Sequence, residues 1–63
     1  MKKEFIERIK NLFSVELVDE PIGKAHRNFI RCKIENNQIL AYFAKNKIRY
    51  EEHMKGYYFV YIN

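Results

Sequence analysis

Glycine occurs twice, proline once and cysteine once in this 63-residue chain, and tryptophan is missing. So few turn-formers exclude a glycine-rich phosphate loop, a nucleophile elbow and any linker-like segment. A single thiol, Cys32, excludes an intramolecular disulfide. Structural zinc needs four closely spaced ligands, which His26, Cys32 and His53 do not supply, so neither a metal nor any other cofactor is expected. No apolar run approaches the roughly 20 residues that cross a bilayer, and the N-terminus lacks the apolar core of a signal peptide. A soluble, cytoplasmic protein without membrane contact is the expectation. Low-complexity stretches and long runs of one charge sign are also missing, which argues against disorder.

What is present is apolar material and positive charge. Apolar residues make up 48% of the sequence and the net charge is +4. One domain spanning residues 1–63 is the only reasonable count at this length. A domain this small buries only about 60% of its unfolded surface, so it has little material with which to cover a sheet on two sides. A basic balance favours an anionic partner, either nucleic acid or an acidic protein surface.

Residues 2–13 read as one amphipathic helix, with Phe5, Ile6, Ile9, Leu12 and Phe13 forming a single stripe. Ser14 to Asp19 alternates and predicts a short strand. Pro21 and Gly23 then mark a loop. Between Lys24 and Lys33 no acidic residue occurs, whereas Lys24, Arg27, Arg31 and Lys33 are basic.

Asn36-Asn37 stands between two apolar runs, and asparagine tolerates the positive φ of a tight hairpin turn. With those residues as the loop, Ile34 faces Ile39, Cys32 faces Ala41 and Ile30 faces Phe43, all apolar. A second turn is expected around Lys45-Asn46-Lys47, and a third between about His53 and Gly56, where a helical turn over 51–55 is the alternative. The predicted fold class is α+β: an N-terminal amphipathic helix packed on one face of a four- to five-stranded antiparallel meander. In that register Tyr57, Phe59 and Tyr61 point to the core, and Tyr58, Val60 and Ile62 point outward. A one-residue slip would exchange the two sets.

The predicted outer face collects Phe29, Arg31, Lys33, Leu40, Tyr42, Arg49, Tyr58, Val60 and Ile62. Rings interleaved with cations suit unstacked bases and their phosphates. Lys24, Arg27, Lys45 and Lys47 would add peripheral charge. The aliphatic members fit a protein interface better, since interfaces have an apolar centre and a charged rim. The expected function is therefore a small non-enzymatic binding module that contacts nucleic acid, or an acidic or nucleic-acid-handling protein. The alternatives are a small inhibitor or adaptor docking on a larger protein, and a homodimer through the same face. Catalysis by Cys32 is not expected because the residue points into the predicted core. Glu51-Glu52-His53 resembles an acid–base cluster, but neighbouring strand residues alternate faces, so the two carboxylates should diverge.

Overall fold

The first helix, α1 (Lys2–Phe13), has the bounds its apolar spacing predicts. Phe5 and Ile9, one turn apart, are buried, while Leu12 is more than half exposed, so the apolar stripe is narrower than the sequence implies. The helix stops at Ser14, whose φ of 54° is left-handed. The Val15 N–H then reaches back to the Lys10 carbonyl at 3.4 Å, the six-to-one closure of a Schellman turn. The computed structural model describes residues 2–20 and 28–62. Of the loop expected over residues 19–23, Asp19 and Glu20 are described and take no regular structure, while the rest of it and Lys24, His26 and Arg27 lie outside the described residues.

Four further elements follow α1 among the described residues. The chain runs β1 (Phe29–Lys33), α2 (Asn37–Lys45), β2 (Tyr50–Met54) and β3 (Tyr57–Tyr61). The Asn36-Asn37 hairpin is thus a misreading. Asn36 is the N-cap of α2, with an extended φ of −98°, and its Oδ1 accepts the Gln38 N–H at 2.8 Å. Asparagine serves equally in tight turns and at helix N-caps, and residues 39–43 fit both periods. Ile39, Ala41 and Phe43 alternate, yet Ile39 and Phe43 are also one helical turn apart. Helix wins because Gln38, Leu40, Ala41, Ala44 and Lys45 all favour it, and alanine and lysine are poor in strands. Ile39 and Phe43 are buried and Ala41 is exposed.

The turn expected at Lys45–Lys47 is the end of this helix. Lys47 takes a left-handed φ of 59°, its N–H bonds the Ala44 carbonyl at 3.2 Å, and the Ile48 N–H bonds the Phe43 carbonyl at 2.8 Å. Both bonds of a Schellman motif are present, and Ile48 packs against the core that contains Phe43. The third turn is a hairpin at Lys55-Gly56, with Gly56 at φ 84° and its N–H held by Glu52 Oε2 at 3.0 Å.

Among the described residues the sheet has three strands in the order β1-β3-β2, not the four or five of a meander. Both outer strands run antiparallel to β3 and so parallel to each other. β1, α2 and β2 therefore make a β-α-β unit that is split by the central β3. Ser14–Asp19 forms no strand, but its end serves the outer edge of β1. The Arg31 N–H donates to Asp19 Oδ1 at 3.1 Å, and the Arg31 carbonyl accepts the Glu20 N–H at 2.7 Å. A side-chain carboxylate thus takes the place of a ladder acceptor.

One cluster of buried side chains joins Phe5 and Ile9 of α1, Leu17, Ile30 and Cys32 of β1, Ile34, Ile39 and Phe43 of α2, and Val60 of β3. Phe5 stacks on Phe43 with centroids 5.9 Å apart. Ile30 lies opposite Val60 in the register, and both are fully buried. Val60 therefore faces the core, which corrects the predicted orientation of β3 by one residue.

Candidate functional site

Strand alternation fixes the other side of the sheet from that single pair. If Ile30, Cys32 and Val60 point inward, then Phe29, Arg31 and Lys33 of β1 and Tyr57, Phe59 and Tyr61 of β3 point the opposite way. In the register Phe29 lies opposite Tyr61, Arg31 opposite Phe59, and Lys33 opposite Tyr57. From β2, Glu51 lies opposite Phe59, and His53 stacks on that same ring. The Arg49 carbonyl accepts the Tyr61 N–H at 2.9 Å, which sets Arg49 beside Tyr61. The result is an open face of aromatic rings and charged groups, none of which belongs to the buried cluster.

The rings touch one another. Phe29 meets Phe59 edge-on at 5.1 Å and Tyr61 at 5.7 Å. His53 lies flat against Phe59, with centroids 4.2 Å apart and planes 13° from parallel. Two guanidinium groups cover two tyrosines: Arg31 over Tyr57 at 4.6 Å and Arg49 over Tyr61 at 4.7 Å. Such cation–π contacts contribute about 0.5–1 kcal/mol each at exposed sites. Tyr61 also donates its hydroxyl to Glu51 Oε1 at 3.2 Å.

Arg31 organises the middle of this face. Its Nε donates to His53 Nε2 at 3.0 Å, and one terminal nitrogen donates to the Glu20 carbonyl at 3.1 Å. The Glu20 carboxylate lies 3.7 Å from the same nitrogen, and the Arg31 side chain is only 14% exposed. His53 Nε2 is the acceptor in this bond and Arg31 the donor. Arg31 is thus committed to its neighbours, while Arg49 and Lys33 are exposed at opposite ends of the face. Lys33 pairs with Glu35 at 3.4 Å, both well exposed, where such a pair holds its partners weakly.

Of the residues expected to form the site, the structure brings together Phe29, Arg31, Lys33 and Arg49. Four others lie elsewhere. Val60 is in the core. Tyr42 belongs to α2, where it meets Phe13 at 5.6 Å. Tyr58 and Ile62 pack against the core, Tyr58 touching Tyr50 at 5.9 Å. Leu40, also expected outside, is on α2 and packs against the core too. Lys45 and Lys47 are exposed at the C-terminal end of α2, and Lys24 and Arg27 fall outside the described residues.

The members that sequence reasoning missed are Tyr57, Phe59, Tyr61, Glu51 and His53. A signal for them was present. Of the two alternating sets in β3, one carries the aliphatics Val60 and Ile62, and the other carries two hydroxyls, on Tyr57 and Tyr61. A hydroxyl seeks water or a partner, so the second set is the better wet face.

Other chemistry finds little support in the geometry. Glu51 serves Tyr61 on the open face, whereas Glu52 holds the hairpin turn, so the two carboxylates diverge. Burial first, then the Asp19 and Glu20 carboxylates, pushes the Cys32 thiol up to about 12, which leaves it protonated and inert. Among the described residues no three metal-ligating side chains gather, and no helix is long and apolar enough to cross a membrane. A groove of about 630 Å³ runs between Val15–Leu17 and the start of α2. Its walls mix Leu17, Ile34 and Ile39 with Lys33, Glu35 and Asn36. No family model matches this chain, nor does any curated protein or solved structure.

Proposed function

We propose that this chain is a small non-enzymatic binding module that holds single-stranded nucleic acid across the open face of its sheet. The observation that carries the reading is the composition of that face: Phe29, Tyr57, Phe59 and Tyr61 in mutual reach of Arg31, Arg49 and Lys33, with no aliphatic side chain among them. Aliphatics were the reason to favour a protein partner, and Leu40, Val60 and Ile62 have gone into or against the core. What faces water is what bases and phosphates use. Stacking on an exposed ring contributes about 1–3 kcal/mol per base, and cations at the rim hold the backbone.

In this reading α1, whose Phe5 and Ile9 share the core with Val60, backs the sheet and leaves the ring face free. Arg49 and Lys33 contact phosphates, with Lys45, Lys47, Lys24 and Arg27 extending the positive field. Arg31, already bonded to Glu20 and His53, positions the rings. The chain acts in the cytoplasm, where its one buried thiol stays reduced.

The test is a titration of a fluorescently labelled thymidine 12-mer at 50 and 200 mM salt. Contacts to three or four phosphates predict a loss of about 20- to 50-fold in affinity across that range, from counterion release on a single strand. Absence of binding at 50 mM salt overturns the reading. Tight binding of an acidic protein from the native host, insensitive to salt, would replace it with the adaptor or inhibitor alternative.

A further inference from the structure

His53 occupies an unusual place. Its ring and that of Phe59 are closer and more nearly parallel than any other described pair: 4.2 Å and 13°, against 5.9 Å and 27° for the next most parallel, Phe5 with Phe43. Phe59 meets its other neighbour, Phe29, at 65°. One flat side of Phe59 is therefore covered, and the group covering it is a planar nitrogen heterocycle. The strand is built to put it there. The β2–β3 register shifts between Glu52 and Met54, so His53 is the extra residue of an irregularity with no partner opposite it in the ladder. Bulges of this kind re-aim a side chain. Arg31 then fixes the ring through the 3.0 Å bond to Nε2, while the Glu20 carbonyl and carboxylate fix Arg31.

We infer that His53 is a built-in occupant of the base-stacking position on Phe59, held by Arg31, and that a nucleobase binds there by displacing it. The inference rests on the nucleic-acid reading and adds the regulation of that site. A flat heterocycle with an in-plane acceptor makes the two contacts that a pyrimidine ring would make: stacking on Phe59 and accepting from Arg31 Nε. Displacement delivers both at once, a free ring face and a free guanidinium donor, while the bonds from Arg31 to Glu20 persist. The free protein hides its stickiest surface until a ligand competes for it. Binding is consequently weaker than the ring count implies, by the free energy of the contact it breaks.

Two measurements test this, both with the thymidine 12-mer at 50 mM salt. His53→Ala should bind three- to tenfold more tightly than the unaltered chain, because the position is vacant. In the unaltered chain, the ring protons of His53 should be shifted upfield by Phe59 when free and should return toward ordinary histidine values at saturation. This second measurement does not depend on how the variant folds. An affinity that is unchanged or lowered in His53→Ala, or an upfield shift retained at saturation, overturns the inference while nucleic-acid binding stands. Failure of both proteins to bind removes the nucleic-acid reading and the inference with it.

Discussion

The two sides of β3 both carry large, mainly apolar side chains and live in different surroundings. On one side Val60 is sealed among Ile30, Ile9, Ile39 and Phe43, with Tyr58 and Ile62 closing the margin, and no charged residue belongs to that cluster. On the other, Tyr57, Phe59 and Tyr61 remain partly exposed, and each is flanked by a cation, a carboxylate or an imidazole. The core side is closed by shape and the open side is held by directional contacts. An aromatic ring can belong to either, because its faces take a cation as readily as another ring. An aliphatic group gains only from being dry. Hence the aliphatic residues, not the aromatic ones, identify the side of this strand that is core.

Placing an aspartate on each side in turn is the strongest challenge to that contrast. Val60→Asp should leave the chain largely unfolded at 25 °C, since an unpaired buried charge costs about 3–5 kcal/mol and a core this small supplies little more. Phe59→Asp, one residue away, should keep the circular dichroism of the folded chain and weaken oligonucleotide binding at least about tenfold, from a lost stack and an added negative charge. If Val60→Asp folds and Phe59→Asp does not, the two sides have been assigned the wrong way round.

A smaller effect probes the dry side alone. The Cys32 thiol is raised from 9.0 to about 12, so the unfolded chain loses this proton at lower pH than the folded one. The stability from keeping it is complete below pH 9 and is lost as pH rises from 9 to about 12. Urea midpoints at pH 8, 9.5 and 11 should therefore fall more steeply in the unaltered chain than in Cys32→Ala. Parallel slopes would show that the thiol is wetter than its burial implies. The smallest effect concerns the scaffold: Ser14→Gly, at a left-handed position closing α1, should raise stability by about 0.5–1 kcal/mol and leave oligonucleotide affinity unchanged, as read by urea unfolding and the 12-mer titration.

Legibility in the sequence follows how local each signal is. The extent of α1 is readable because twelve residues carry their own period. The inward set of β1 is readable too: Ile30 and Cys32 alternate with Arg31, and no partner strand is needed to decide between them. The α+β class therefore emerges correctly, along with four members of the open face. The failures share one source. Asn36 supports either a turn or a helix cap, and choosing the turn carried strand pairing through residues 39–44. Faces that follow from that turn put β3 out of phase by one residue, which is enough to exchange Val60 with Phe59. One of the two partners of β3 is β1, more than twenty residues earlier in the chain, and no counting across a helix recovers that register. The sequence brings His53 to notice only beside Glu51 and Glu52, because its stack on Phe59 is a contact between strands that no local pattern records.

The middle strand of the sheet is the last to be made. Among the described residues β1 and β2 share no ladder, and both pair only with β3. During synthesis, everything up to Met54 can leave the ribosome without a single strand finding its neighbour, however well α1 and α2 have formed. Residues 57–61 then complete both ladders and bring Val60 to the core in one event. A chain stalled just short of that point holds two unsatisfied strand edges, with nothing between them.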